Sequence, residues 1–183
     1  MTKLLDSENF AKERNSSVLR KDGDTTHYEH LTGVVTRLKN LGVSDEDVLC
    51  AAWLHDIIED TNTSFHDIDQ RFGSRVAVLV LSLSKDKTLP KGQQEEQYVK
   101  QLRESSFEAK LIKLCAISAN LKDIKGSSLS KTKKTKTIRK ILHYLDVIKP
   151  DLVKNKASTP AITSLIDGIN AVAVSFGHRP VSL

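Results

Sequence analysis

The chain has 183 residues, of which 39% are hydrophobic and 28% charged, a composition typical of a globular protein large enough to bury a core without disulfides or structural metals. No run approaches the ~18 consecutive apolar residues of a membrane span, and the first residues lack the apolar segment of a signal peptide. The formal net charge of +5 suits a polyanionic ligand as well as nucleic acid.

Two cysteines, Cys50 and Cys115, lie in apolar helical contexts without the spacing of a metal knuckle. This pattern predicts buried free thiols in a reducing compartment, and we therefore expect the protein to be cytoplasmic. A membrane is not among the expected partners.

The first half of the chain reads as a series of helices. Residues 7–20 predict a first helix and residues 28–41 a second, which stops at Gly42. A capping box at Ser44–Asp47 begins a central helix that continues through Asp60. A further short helix is predicted at 65–72.

The second half is also read as helical. The run 76–81 is rich in β-branched residues and could be a strand, but we predict a buried helix because no other convincing strand exists to pair with it. After a polar loop at 85–92, helices are predicted through Leu102, over 107–124, over 134–148 up to Pro150, and from Pro160 onwards. The expected fold class is all-α, a single-domain helical bundle.

The central stretch 51–60 carries His55, Asp56, Glu59 and Asp60 inside an apolar helix. Burying charge without compensation is costly, so these groups need a partner or a metal ion. The spacing of four residues puts imidazole and carboxylate on one face, a pattern that suits a divalent cation with a nearby water. The alternative is a half-buried helix whose polar stripe meets Lys or Arg from a neighbour.

Other polar features predict less. His27, His66, His143 and His178 share no helix turn with acidic partners in the required order, so we expect ordinary surface or satisfied histidines. Residues 122–140 contain eight Lys and Arg against one Asp, which indicates a solvated face or an electrostatic steering surface. That stretch has no aromatic residue for base stacking, which disfavours nucleic acid as a partner.

An ordered set of motifs carries a family resemblance: His30, His55-Asp56, Glu59-Asp60-Thr61, Asp86-Lys87-Thr88-Leu89-Pro90-Lys91, and a helix with Lys113-Leu114 and Asn120-Leu121. This order resembles the HD-domain phosphohydrolases, and the details are similar to the small alarmone hydrolases of the RelA/SpoT family. The resemblance implies an HD-type domain over residues 1–150. Beyond Pro150 the chain shows no family feature, and residues 151–183 are predicted to form a C-terminal helical tail packed on or extending that domain.

The resemblance also implies roles for individual residues. His30, His55 and Asp56 correspond to ligands of a manganese ion, and Glu59 and Asp60 to the catalytic acid/base positions. The residues expected at the substrate are Arg20, Lys21, Lys91, Asn120, Lys140 and Tyr144. Lys136 and Arg139 are alternatives to Lys140, because the spacing differs from the family by a few residues.

One departure from the family pattern concerns the metal. The family motif has Asp as a fourth ligand where this chain has Ala116, and a methyl group cannot coordinate a cation. Three explanations stay open: an engineered inactive variant, a natural pseudoenzyme, and rescue by a carboxylate such as Asp123. Rescue is disfavoured, because Asp123 lies seven residues further on, about 10 Å along a helix.

The resemblance implies a metal-dependent hydrolase that removes the 3′-pyrophosphate of ppGpp, impaired in this chain by Ala116. The substrate is a small nucleotide, with pppGpp, adenosine alarmones (ppApp) and NADPH as further options. The alternative is a non-catalytic nucleotide-binding sensor. The oligomeric state is left open, a homodimer being one option.

Overall fold

The computed structural model describes residues 2–16 and 26–183, and ten helices form within those ranges. The first five are α1 (Lys3–Arg14), α2 (His27–Asn40), α3 (Glu46–Leu54), α4 (Ile57–Asp60) and α5 (Phe65–Phe72). The second five are α6 (Ser74–Ser82), α7 (Lys91–Glu104), α8 (Phe107–Gly126), α9 (Lys131–Asn155) and α10 (Ile162–Ser175). The prediction of an all-helical fold is confirmed within these ranges, and so is the helix at 76–81.

Two helices form the centre of the bundle. Every residue of α3 from Val48 to Leu54 is buried, and the helix packs against α1, α2, α6 and α8. Helix α8 buries side chains along its whole length and contacts α2, α9 and α10. The side chains around the candidate cation site described below project from α2, α4 and α8 and from the junction after α3, so this packing determines their positions.

The structure corrects several predicted boundaries. The first helix begins at Lys3 and ends at Arg14, where residues 7–20 were predicted; residues 17–20 of that prediction lie outside the described residues. The cap of α3 is the Asp45 carboxylate, which accepts from the amides of Asp47 and Val48, so the predicted box starting at Ser44 is wrong. The central helix is interrupted at 55–56 and resumes as α4.

The helix predicted to stop before Pro150 continues through it to Asn155. Proline inside a helix lacks the amide that would bond four residues back, here to the carbonyl of Asp146. Pro150 and Asp146 are both exposed, so water can solvate that carbonyl. The buried side chains Ile148 and Leu152 hold the helix against the core on either side of the proline. Helix α9 therefore crosses residue 150 without a break.

The C-terminal segment is held on the same core. Ile162, Ile166, Ile169 and Ala173 of α10 are buried, and Val181 and Leu183 pack against the core cluster. The backbone of Val181 also exchanges two hydrogen bonds with the Asn170 side chain, at 2.7 and 2.8 Å. Across residues 2–16 and 26–183, every helix is too short or too polar to span a bilayer.

We expect Pro150→Ala to stabilise the protein, because alanine restores a helical amide at an exposed position and removes no packing. The gain should be about 1–3 kcal/mol in the free energy of unfolding, measured by urea denaturation. The control is Pro160→Ala in the turn before α10, where loss of the proline should leave stability unchanged or lower. Equal effects of the two substitutions would contradict the prediction.

Candidate active site

The junction between α3 and α4 positions His55. Its imidazole is buried, and Nδ1–H donates to the carbonyl oxygen of Ala52 at 2.8 Å. A carbonyl can only accept, so the proton lies on Nδ1 and Nε2 is left to face the site. That Nε2 lies 3.2 Å from Oδ1 of Asp56. Burial lowers the pKa of His55, but the Asp56 carboxylate outweighs it, and the net pKa is raised.

His30 approaches the same carboxylate from α2. Its side chain is fully buried, and Nε2 lies 3.9 Å from Oδ2 of Asp56. On the other side of the ring, Nδ1 lies 3.0 Å from Oδ2 of Asp123 on α8. A carboxylate behind a histidine orients the ring toward a metal ion. The geometry thus places Asp123 behind His30, where it can orient the ligand and does not replace the one missing at Ala116.

The donor set fits a divalent cation. The ligand atoms of His30, His55 and Asp56 all lie within 4.8 Å of one another. Atoms bound to one ion at about 2.1 Å are about 3–4 Å apart, so small adjustments would complete the coordination. Ala116 lies on α8 and is buried, with 3% exposure. Three protein ligands leave further positions of the ion to water or substrate.

A second set of possible ligands adjoins the first. His27, Asp56 and Asp60 also offer atoms within 4.8 Å of one another. Nε2 of His27 lies 3.7 Å from Oδ2 of Asp60, and His27 is 5% exposed. The sequence analysis expected His27 to be an ordinary satisfied histidine and did not predict that it lies near Asp56 and Asp60. These two carboxylates belong to the α3–α4 segment and not to the helix that carries His27.

Glu59 lies on α4, one turn after His55. Its carboxylate accepts a hydrogen bond from the backbone amide of Lys85 at 2.8 Å. Burial raises the pKa of Glu59, the Lys85 amide opposes that shift, and the nearby Asp56 charge adds to it. A carboxylate with a raised pKa beside a cation site has the properties of a general base. Asp60 is more exposed, at 37% of its side chain.

A polar cluster joins α7 and α9 beside this centre. The Lys85 ammonium donates to Oε2 of Glu95 at 2.8 Å and to the Tyr144 hydroxyl at 2.6 Å. The Tyr144 hydroxyl donates to Oε1 of Glu95 at 2.6 Å, and Nζ of Lys140 lies 3.3 Å from Oε2. Burial alone would raise the pKa of Glu95, but the bonds from Lys85 and Tyr144 lower it to about 2.

The cluster discriminates among the three basic candidates on α9. Lys140 and Tyr144 are one turn apart and both contact Glu95. Lys136 and Lys140 are both exposed, so the contact with Glu95 is what distinguishes Lys140. Arg139 lines a different cavity of about 500 Å³, between α9 and the segment His178–Ser182. The geometry therefore favours Lys140 as the basic residue beside the site.

Lys113 is a site residue that the motif contained but for which no role was predicted. Its ammonium lies 4.6 Å from the ring centre of Tyr144 and 5.0 Å from that of Tyr98. Burial lowers the pKa of Lys113, and the charges of Asp56, Glu59 and Glu95 oppose that shift. Lys113 thus lies close to both the candidate cation site and the cluster of Lys85 and Glu95.

For Lys91 and Asn120, among the remaining predicted substrate residues, the structure gives a position on a helix near the site. Lys91 is the first residue of α7 and exposed, one turn before Glu95. Asn120 is half-buried on α8, one turn after Ala116. Arg20 and Lys21 lie outside the described residues.

Comparisons with known proteins agree with this architecture. The HD domain family matches residues 8–145. The guanosine-3′,5′-bis(diphosphate) 3′-pyrophosphohydrolase MESH1 of Danio rerio is 40% identical over 123 residues, which are 66% of this chain and 68% of that protein. The human MESH1 is also 40% identical over 123 residues, 66% of this chain and 69% of its own.

A solved structure extends the likeness beyond the aligned sequence. The metazoan orthologue of SpoT, described as hydrolysing ppGpp, superposes with a TM-score of 0.79 at 27% identity, covering 93% of this chain and 95% of that one. The resemblance predicted from the ordered motifs is confirmed. The chain belongs to the HD-domain family and, within it, to the group of the metazoan SpoT orthologues.

Proposed function

We propose that this chain hydrolyses the 3′-pyrophosphate of a guanosine alarmone of the ppGpp type, giving GDP and pyrophosphate. The observation that carries the proposal is the convergence of two oriented imidazoles on Asp56, beside the half-buried carboxylate of Glu59 and a group of lysines. The names of the relatives at about 40% identity describe this reaction for those proteins.

The cation would be held by His30, His55 and Asp56. We propose Mn²⁺, which accepts mixed nitrogen and oxygen ligands and keeps open positions for water. When bound, such an ion lowers the pKa of a water ligand and neutralises charge on phosphate oxygens. Glu59 would take the proton from the attacking water, since its carboxylate is half-buried and has a raised pKa. Asp60 is the second acid/base candidate.

The pyrophosphate would lie against the lysines. Lys85, Lys113 and Lys140 present three ammonium groups around Tyr144 and Glu95, and preorganised cations stabilise charge that develops on a leaving pyrophosphate. Lys91, Asn120, Arg20 and Lys21 are proposed as further substrate contacts. A guanine base is proposed from the relatives' names, with pppGpp, adenosine alarmones and NADPH as alternative substrates.

A second candidate function is a nucleotide sensor without turnover. The observation that favours it is Ala116, which removes a ligand and leaves the lysines and Tyr144 in place. In either case we propose a cytoplasmic location, supported by Cys50 and Cys115, which are both buried free thiols.

Restoring the missing ligand separates the two functions. We expect Ala116→Asp to raise pyrophosphate release from ppGpp with Mn²⁺ by at least about tenfold, since a missing ligand-shell group typically costs 10–100-fold in metal affinity or activity. Adding Glu59→Gln should then lower the rate by about a hundredfold or more. Ala157→Asp adds the same charge in an exposed turn and should change nothing. If no variant releases pyrophosphate while ppGpp still binds, the hydrolase is excluded and the nucleotide sensor is the remaining function.

The carboxylate behind His30 has a separate test. Asp123→Asn keeps the size of the side chain but weakens the orientation of His30, and we expect Mn²⁺ affinity to fall by about 10–100-fold in isothermal titration. Asp167→Asn on the exposed side of α10 is the matched control. Unchanged affinity in Asp123→Asn would show that the ring is oriented by other contacts.

Glu95 should make stability depend on pH. Its pKa of about 2 lies below the ordinary value of 4.5, so its stabilising contribution is present above pH 4.5 and is lost as the pH falls toward 2. Glu95→Gln should therefore lower the urea midpoint at pH 7, and the difference from the parent chain should shrink as the pH falls below 4.5. Glu96→Gln, exposed on the same helix, is the control. A difference that stays constant with pH would exclude this ionic contribution.

A further inference from the structure

We infer that this chain has a second cation position, formed by His27, Asp56 and Asp60, which adjoins the first and shares Asp56 with it. The inference rests on the proposed cation site but not on the identity of the substrate. It assigns His27 a role in metal binding and makes Asp60 a ligand in addition to an acid/base candidate.

Two parallel pairs of side chains carry the argument. His27 and His30 are three residues apart on α2, so both project from one face. Asp56 and Asp60 are four residues apart, and the Asp60 amide donates to the Asp56 carbonyl at 2.9 Å, which stacks their carboxylates one turn apart. The two faces meet in register: His30 faces Asp56 at 3.9 Å, and His27 faces Asp60 at 3.7 Å.

Both distances are longer than a hydrogen bond between the same atoms, which lies near 2.7–3.2 Å. They match the separation of about 3–4 Å between two ligands of one ion. Each of these two His–Asp pairs therefore has the spacing of two ligands of one ion, and the three donor atoms of the second set, like those of the first, all lie within 4.8 Å of one another.

Asp56 would coordinate both ions, as a bridging carboxylate does in two-metal sites. Two-metal sites hold their ions about 3.5–4 Å apart and act on both the attacking and leaving oxygens of a displacement, and a carboxylate can coordinate one ion with each oxygen. The negative charge is sufficient for more than one cation: Asp56 and Asp60 lie in the sets, Asp123 lies behind His30, and Glu59 is close enough to feel the charge of Asp56.

The inferred site also changes the meaning of Ala116. The first set lacks the carboxylate that the family motif has at position 116, but the carboxylate of Asp60 and the imidazole of His27 remain beside Asp56. The chain therefore keeps five possible ligand residues, distributed over two adjoining positions, despite the methyl group at 116.

The experiment counts ions. The protein is dialysed against saturating Mn²⁺ and the bound metal per chain is measured by mass spectrometry, with electron paramagnetic resonance used to detect magnetic coupling between neighbouring ions. We expect two ions in the parent chain, one in His27→Phe and one in His30→Phe. His66→Phe, an exposed histidine on α5, is the matched control and should keep two.

One ion in the parent chain would overturn the inference, whatever the variants do. Two ions in a folded His27→Phe protein would also overturn it, because the second ion would then have other ligands. Circular dichroism checks the fold of each variant, and His27→Gln serves if the phenylalanine is not tolerated. Two coupled ions without any pyrophosphate release would support this site while contradicting the proposed hydrolase.

Discussion

The site depends on the orientation of two buried imidazole rings. A buried histidine must satisfy its ring nitrogens, and here each Nδ1 has an oxygen partner behind it, the Ala52 carbonyl for His55 and the Asp123 carboxylate for His30. These contacts turn both Nε2 atoms toward Asp56. The oxygens come from α3 and α8 and one ring from α2, so the packing of three helices is what prepares the centre for a cation.

The break between α3 and α4 contributes to the same end. Residues 48–54 are buried on every side, and a continuous helix would keep His55 and Asp56 at fixed helical angles within that core. The interruption at 55–56 lets the carboxylate of Asp56 reach both imidazoles while 31% of its side chain remains exposed. One residue can thus contact buried nitrogens and still be accessible to a ligand.

Periodicity, which is a local signal, predicted the helical class, and the resemblance of the ordered motifs to the HD-domain phosphohydrolases predicted the meeting of His30 with His55 and Asp56. The sequence could not predict the partners that tertiary packing supplies. His27 has no acidic neighbour on its own helix, and Asp123 appeared too far along its helix, since its position relative to His30 depends on how α2 packs against α8. The course of α9 through Pro150 was likewise decided by buried residues on both sides, which outweighed the local preference to stop.

Glu95 determines which anions can bind to the lysine cluster. Lys85 and Lys140 already have a counter-ion in its carboxylate, so an incoming anion gains only the difference between its own attraction and the one it displaces. A singly charged anion gains little from such an exchange, whereas a group with several charges on adjacent phosphates gains much more. The carboxylate of Glu95 therefore competes with incoming anions for the lysines. Monovalent anions displace it poorly, and this competition favours anions with several charges.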